Sequence, residues 1–419
     1  VDPTKYLLGY LLVVLLAVSG AFPLSLSAMV GAALFVAFGV SDGVLSFSEA
    51  LSFIDLELLA LFVGVMIVVE VVDRCGTFRY LALKVVRRVL KRPPVLLLVV
   101  TSLMTALTSL MLSDEAALLL ILAILLSLGK AGALDPVPFA LSSAIMANLG
   151  GTGILVGTVP NMAIGIRAGF SFVEFASYLL PCEFALYGVT LALFYLYYRG
   201  KLQSSGRGAE LEEIEVSRVD VAKGAFLLSL MLSLLIAAGI ADFPVSAAAL
   251  ASAVVALALA GFDTLEVFQR LDWDTVFFTA AFTVITGVLE RVEALKGLAL
   301  WLQGAAGGSL ALASLLVLLV SGAASLLLPN LIVALSFIPV VEALPFADKR
   351  ALWSALVLGV SLGGVGLPVS SFVIVMTIGA LRREGYEIDP WAVTRVGIPV
   401  TAAWLGFSAI YLLTRFGLI

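Results

Sequence analysis

Long apolar runs fill almost the whole chain, each ended by a proline, a glycine or a short charged cluster. A membrane-crossing helix needs about 20 apolar residues. Tyr6–Phe22 and Leu24–Val40, split by Pro23, predict the first two spans, and Ile54–Val72 predicts a third ending at Asp73-Arg74. Phe78–Leu90 differs: Arg79, Lys84, Arg87 and Arg88 alternate with apolar residues at helical spacing, which predicts an amphipathic helix on the membrane surface. Pro93–Leu112 and Ala116–Leu128 flank Ser113-Asp114-Glu115. The second run is short for a span, so the pair predicts a re-entrant helical hairpin with two acids at its tip. Val137–Ile166 is apolar but interrupted at Asn148-Leu149-Gly150-Gly151-Thr152-Gly153 and again at Val159-Pro160-Asn161. Each glycine weakens a helix interior by about 1 kcal/mol relative to alanine. Helix is therefore expected to Ala147 and unwound chain from Asn148. Backbone freed at membrane depth needs protein or water around it, and transporters place substrate and ion sites at such breaks. Phe172–Tyr198 completes the first half.

A polar stretch, residues 199–222, links this half to a second one. Its expected spans are Ala225–Ile240, Phe243–Ala260, Trp273–Leu289, a hairpin-like pair Leu310–Leu328 and Leu331–Leu344, then Leu352–Leu381 and Val393–Arg415. The halves match collinearly. Ile54-Asp55-Leu56-Glu57 pairs with Leu271-Asp272-Trp273-Asp274, Ser109–Leu112 with Ser325–Leu328, Gly150-Gly151-x-Gly153 with Gly363-Gly364-x-Gly366, and Leu180-Pro181 with Ile398-Pro399. The offset stays between 213 and 218 residues, which implies internal duplication. The expected organisation is a first repeat 1–198, a linker 199–222 and a second repeat 223–419. Five spans plus a hairpin is an odd number of crossings, so the repeats are expected to be inverted. The fold class is thus an all-α polytopic membrane protein of two inverted repeats, with re-entrant hairpins and broken helices. Placing both termini outside puts most of the 24 basic residues, and the linker, on the cytoplasmic side. Without organelle signals, the expected location is the plasma membrane.

Composition narrows the function. The chain of 419 residues is 62% hydrophobic and 13% charged, about half the charge of a soluble domain. There is no histidine, which removes histidine general-base chemistry and histidine-held metals. No phosphate-binding loop is present, and Cys75 and Cys182 form no metal or disulfide motif. The first run reads as a span rather than a cleaved leader. No cofactor and no nucleic acid are expected.

Two clusters carry candidate chemistry. Asp114 and Glu115 are acids between apolar runs, placed to hold a proton or a cation, or else solvated at the headgroups. Asn148, Gly150, Gly151, Thr152, Thr158, Pro160 and Asn161 offer amide, hydroxyl and freed backbone groups. A sodium ion would find Asp114, Asn148 and Thr152. The second-half counterparts are Asn330 after Pro329, then Gly363, Gly364, Gly366, Pro368, Ser370 and Ser371, with fewer polar side chains. Asp55, Glu57, Asp272 and Asp274 mark span entrances, and Glu70 is placed to pair with Arg74.

At these residues the chain resembles the ion transporter superfamily, in the branch of arsenite-efflux permeases, NhaD-type sodium/proton antiporters and the melanosomal P protein. The carrying segments are ANLGGTGILVGTVPNMAIGIRAGFSFVEFASYLLP, LSDEAALLLILAI, FIPVVEAL and LDWDTVFFTAAFTVITGVLE. The resemblance implies two re-entrant hairpins whose tips meet the two broken helices, a homodimer and an elevator-like shift of the site. The first-half pattern is kept at Asp114, Asn148, Gly150, Gly151, Thr152, Pro160 and Asn161, with Ser113 where relatives often have Asn. The second half departs: Pro329-Asn330 replaces Asp-Asn, and Val365, Leu367 and Ile374 replace polar residues.

The expected function is secondary active transport of an inorganic ion, coupled to H+ or Na+. Arsenite-type efflux comes first, sodium/proton antiport next and a citrate-like dicarboxylate third. An energising ATPase partner is known for some arsenite permeases. A channel, or an intramembrane enzyme using paired carboxylates, are the alternatives from other classes.

Overall fold

A computed structural model of the chain describes residues 3–200, 202, 217–367 and 371–418. Among these residues there are twenty helices and no strand. The first ten are α1 (Thr4–Ser19), α2 (Leu24–Ser41), α3 (Phe47–Ser52), α4 (Leu56–Arg74), α5 (Thr77–Val89), α6 (Pro94–Ser109), α7 (Asp114–Lys130), α8 (Pro136–Gly150), α9 (Val159–Ala168) and α10 (Phe172–Tyr198). The next ten are α11 (Arg218–Ile240), α12 (Val245–Ala260), α13 (Thr264–Gln269), α14 (Trp273–Arg291), α15 (Lys296–Ala306), α16 (Leu310–Ser325), α17 (Asn330–Ala343), α18 (Arg350–Gly363), α19 (Phe372–Arg383) and α20 (Pro390–Arg415). The order of long, short, hairpin and broken helices is the same in both sets. Local signals are shared too. Asp55 caps α4 through Leu58 N and Asp272 caps α14 through Thr275 N, satisfying amides that a helix start leaves free.

Packing is reciprocal between the sets. α2 lies on α14 and α12 on α4; α6 lies on α8 and α16 on α18. Likewise α9 packs on α17 and α18, while α19 packs on α7 and α8. The hairpins α6–α7 and α16–α17 and the broken pairs α8–α9 and α18–α19 therefore form one cluster, with α10 and α20 against it. Among the described residues, five helices are long and apolar enough to cross a membrane: α2, α10, α11, α14 and, from Val393, α20. Leu8, Leu15, Phe226, Ile240, Val254 and Ile410 point outward, as a lipid-facing surface requires.

Three short helices were not foreseen. α3 and α13 lie in stretches read as links, and α15 is the counterpart of the amphipathic α5. For α3 the signal was legible: Ser46 and Glu49 form a capping box. α8 also runs three residues past Ala147, to Gly150. Gly150 is there for contact rather than for unwinding. A Cβ on it would run into the backbone of Ala106, 2.7 Å from its Cα. Gly363, which ends α18, meets Gly322 and would place a Cβ 2.7 Å from that of Ser325. Each hairpin thus lies directly on its broken helix. Gly150→Ala and Gly363→Ala should each destabilise the protein by roughly 1–3 kcal/mol, the usual cost of overpacking, seen as a lowered melting temperature in detergent. An unchanged melt would show that the hairpins are not docked this closely.

Candidate functional site

The two hairpin tips carry the same arrangement with one change of chemistry. Ser113 caps α7 by accepting from Ala116 N at 3.2 Å, which fixes the tip. Asp114, half-buried, begins the helix, with half-buried Glu115 beside it. Ser109 Oγ lies 2.5 Å from Asp114 Oδ1 and 2.8 Å from the carbonyl oxygen of Ala147. In the second half, Ser325 Oγ lies 2.8 Å from Asn330 Oδ1 and 2.7 Å from the carbonyl oxygen of Val360. A serine hydroxyl has one proton to give. If the carbonyl takes it, the remaining contact is satisfied by a donor: a protonated Asp114, or the Asn330 amide turned to present its NH2. Asn330 is then an uncharged copy of a protonated Asp114.

Each tip residue rests on the second glycine of a Gly-Gly pair. Asp114 Oδ1 lies 3.2 Å from where a Cβ on Gly151 would stand, and Asn330 Oδ1 3.0 Å from the same point on Gly364. Glycine leaves the room that these side chains fill.

The first break, between α8 and α9, is tied by one amide. Asn161 Nδ2 donates to the carbonyls of Gly151, Thr152 and Ile154 at 2.8, 3.1 and 3.0 Å. Thr158 caps α9 through Asn161 N at 3.4 Å, and buried Pro160 lies in the first turn, where no amide is required. Asn148 joins the halves: its Nδ2 donates to Ala144 O at 3.1 Å and to Ser371 Oγ at 2.9 Å. Its bonds therefore run to Ala144 and Ser371. Gly363, Gly364 and Gly366 form the start of the second break, and Gly366 faces Thr401. Pro368 and Ser370 lie outside the described residues.

Several residues at this site escaped sequence reasoning: Ser109, Ser325, Glu183, Tyr187 and Thr401. Ser109 and Ser325 stood in a segment matched between halves, yet serine is common in such helices. Glu183 had a plain signal, an acid in the middle of an apolar run. It is fully buried in α10, accepts from the Tyr187 hydroxyl, and sits where a Cβ on Gly153 would collide with it. At this site Thr152 Oγ1, Asn161 Oδ1 and Thr401 Oγ1 are buried without a partner among the described residues. Arg167, the first basic residue after the break, is turned away to Glu342 at 3.2 Å and Glu290 at 3.9 Å. Glu70 pairs with Arg74 at 2.8 Å, and Cys182 is packed inside against Ser408.

Two hairpin-and-broken-helix units, facing each other inside an apolar helical body, are the build of a membrane transporter. The citrate transporter family matches residues 13–359, and the chain belongs to that family. An uncharacterized transporter of Mycobacterium tuberculosis is 29% identical, over 93% of this chain and 93% of its own length. The magnetosome protein MamN of Magnetospirillum gryphiswaldense is 24% identical, over 92% of this chain and 93% of that one. The YdaH transporter of Alcanivorax borkumensis has a similar fold, with a TM-score of 0.61 over 94% of this chain and 97% of that one, at 15% identity.

Proposed function

We propose that this transporter is secondary active and moves a small solute against protons carried by Asp114. One observation carries the reading: the same serine-and-carbonyl cradle holds an ionisable acid in one half and its neutral amide in the other. A cradle that works with an amide does not need a carboxylate for shape. The carboxylate adds the ability to lose a proton. Sodium is the other coupling ion to weigh, with Asp114, Asn148 and Thr152 as its ligands. Proton coupling is favoured because the hydrogen bonds of Asn148 go to Ala144 and Ser371, away from Asp114.

Reciprocal packing of the two ten-helix sets supports inverted repeats, and the shared cluster of hairpins and broken helices suits a body that moves as one. A homodimer in the plasma membrane, with the linker cytoplasmic and the termini outside, completes the reading. Any association with an energising ATPase would be additional to it.

The substrate reading follows from charge. Among the described residues no lysine or arginine pairs with Asp114, Asn148, Thr152, Asn161 or Glu183. A bare multiply charged anion would have no countercharge there. Arsenite in its neutral hydroxide form fits hydroxyl, amide and carbonyl groups. Citrate is the second reading, favoured by the family's name, and would need a bound cation to offset its charges.

The test is proton movement in proteoliposomes holding a pH-sensitive dye, with arsenite, Na+, Li+, citrate, and citrate with Mg2+ added in turn. The expected response is to arsenite. A response only to citrate with Mg2+ would move the substrate to the second reading. Sustained, uncoupled and non-saturating flux would make the protein a channel.

A further inference from the structure

Glu183 is the buried acid that this mechanism leaves unused. It is fully buried in α10, where burying a charge without a partner is costly. The Tyr187 hydroxyl donates to Oε1, and the backbone of Gly153 is the other hydrogen-bonding group at the carboxyl. Its carboxyl presses on Gly153, where a Cβ would collide with Oε2. Asp114 presses on Gly151, two residues earlier in the same break. Thr152, between the two glycines in the chain, has a buried hydroxyl without a partner.

The titratable groups that face Glu183 are Tyr187 on its own helix and Asp114 from the hairpin. Its neighbour Cys182 is turned to Ser408 of α20. Among the described residues no cation pairs with it. Two acids in such a place resist being ionised together, because each charge raises the cost of the other. Packing does not require an acid here. The offset that aligns Pro181 with Pro399 aligns Glu183 with Thr401. Thr401 lies against Gly366 as Glu183 lies against Gly153. Asp114 and Glu183 thus both belong to the first half, and both have neutral polar counterparts in the second.

We propose that Glu183 is a second proton-binding residue of the transport site, releasing and taking up its proton in alternation with Asp114 across the Gly151–Gly153 break. The proposal rests on the reading of Asp114 as a proton carrier. Each step converts a carboxylic acid to a carboxylate and one proton, which passes to water on the side to which the site is open. Loss of the proton from one acid tightens the hold on the other, so the pair titrates as a unit.

Infrared difference spectroscopy of the full-length protein in liposomes, titrated with acid and base, tests this without any solute. Protonated carboxylic acids show a carbonyl-stretch band that vanishes on ionisation. Beside the bands of the solvated carboxyls, the wild type is expected to show two titrating bands that belong to Asp114 and Glu183. Glu183→Gln should lose one, and the remaining midpoint should fall by about one pH unit, a tenfold easier release, once its neighbour cannot charge. Asp114→Asn should do the converse. Tyr187→Phe should keep both bands and raise the Glu183 midpoint, because it removes a donor to the ionised form. A Glu183 band that persists at every pH, or no band lost in Glu183→Gln, overturns the proposal. Two bands whose midpoints ignore each other's removal overturn the alternation. A titrating Glu183 band with none from Asp114 upholds Glu183 and removes Asp114 from the coupling.

Discussion

Asp114→Asn is expected to fold, to dock its hairpin normally and to lose all proton-driven accumulation. The second half is the natural control for this substitution. Asn330 already holds the equivalent place, with Ser325 and Val360 O in the roles of Ser109 and Ala147 O. An amide therefore satisfies the cradle. What it cannot do is ionise. With a pH difference of about two units across the membrane, one coupled proton supports roughly 100-fold accumulation of solute, since each unit is worth about 1.4 kcal/mol. The variant should show none, while exchange of labelled for unlabelled solute across the membrane continues. The measurement is uptake at a fixed pH difference beside counterflow at equal pH. Accumulation that survives in the variant would remove Asp114 from the coupling. Loss of both activities would make it a substrate ligand instead.

Asn161→Ala should be the most damaging single truncation in the first break. One amide serves three carbonyls there, and two N–H groups do all the work. Carbonyls left unpaired inside the protein cost about 1–3 kcal/mol each, so a loss of roughly 2–6 kcal/mol is expected for the two N–H groups removed. The readout is thermal unfolding in detergent. The second half supplies the contrast. Ile374 stands at the position equivalent to Asn161, so the second break is held without this amide. Ile374→Ala should cost only the lost packing, up to about 5 kcal/mol if its buried site cannot collapse, and it should leave backbone amide exchange at Gly151–Ile154 unchanged. Asn161→Ala should speed that exchange. Equal protection in the two variants would show that the amide does not tie the break.

Much of the architecture was legible because apolar runs and their interruptions are properties of consecutive residues. Val137–Ile166 predicted a broken helix, and α8 and α9 are its two parts. Pro93–Leu128 predicted a hairpin, and α6 and α7 turn about Ser113. The collinear matches between halves predicted a hairpin and a broken helix in each, and α16–α17 and α18–α19 occupy the expected places in the second. The misses were also local in origin. α3, α13 and α15 are too short for a span, and helices of six or eleven residues leave little periodic signal. Asn148–Gly150 was expected to unwind on the propensity of glycine alone. Tertiary contact with Ala106 rewards a missing side chain there, and propensity is a weak prior beside such packing.

By itself the sequence determined that the protein is helical, membrane-embedded and broken at two places. Hydropathy acts residue by residue along the chain, and in lipid a long apolar run satisfies its own backbone only as a helix. It also marked Asp114 and the asparagines as the residues worth watching. Only the tertiary structure decided what those residues touch. It set Asp114 and Asn330 in one shared cradle, joined Asn148 to Ser371 across 223 positions, and brought Glu183 of α10 to the break beside Asp114. Such pairings depend on how helices cross, which packing of glycine against backbone settles, and no run of consecutive residues records it.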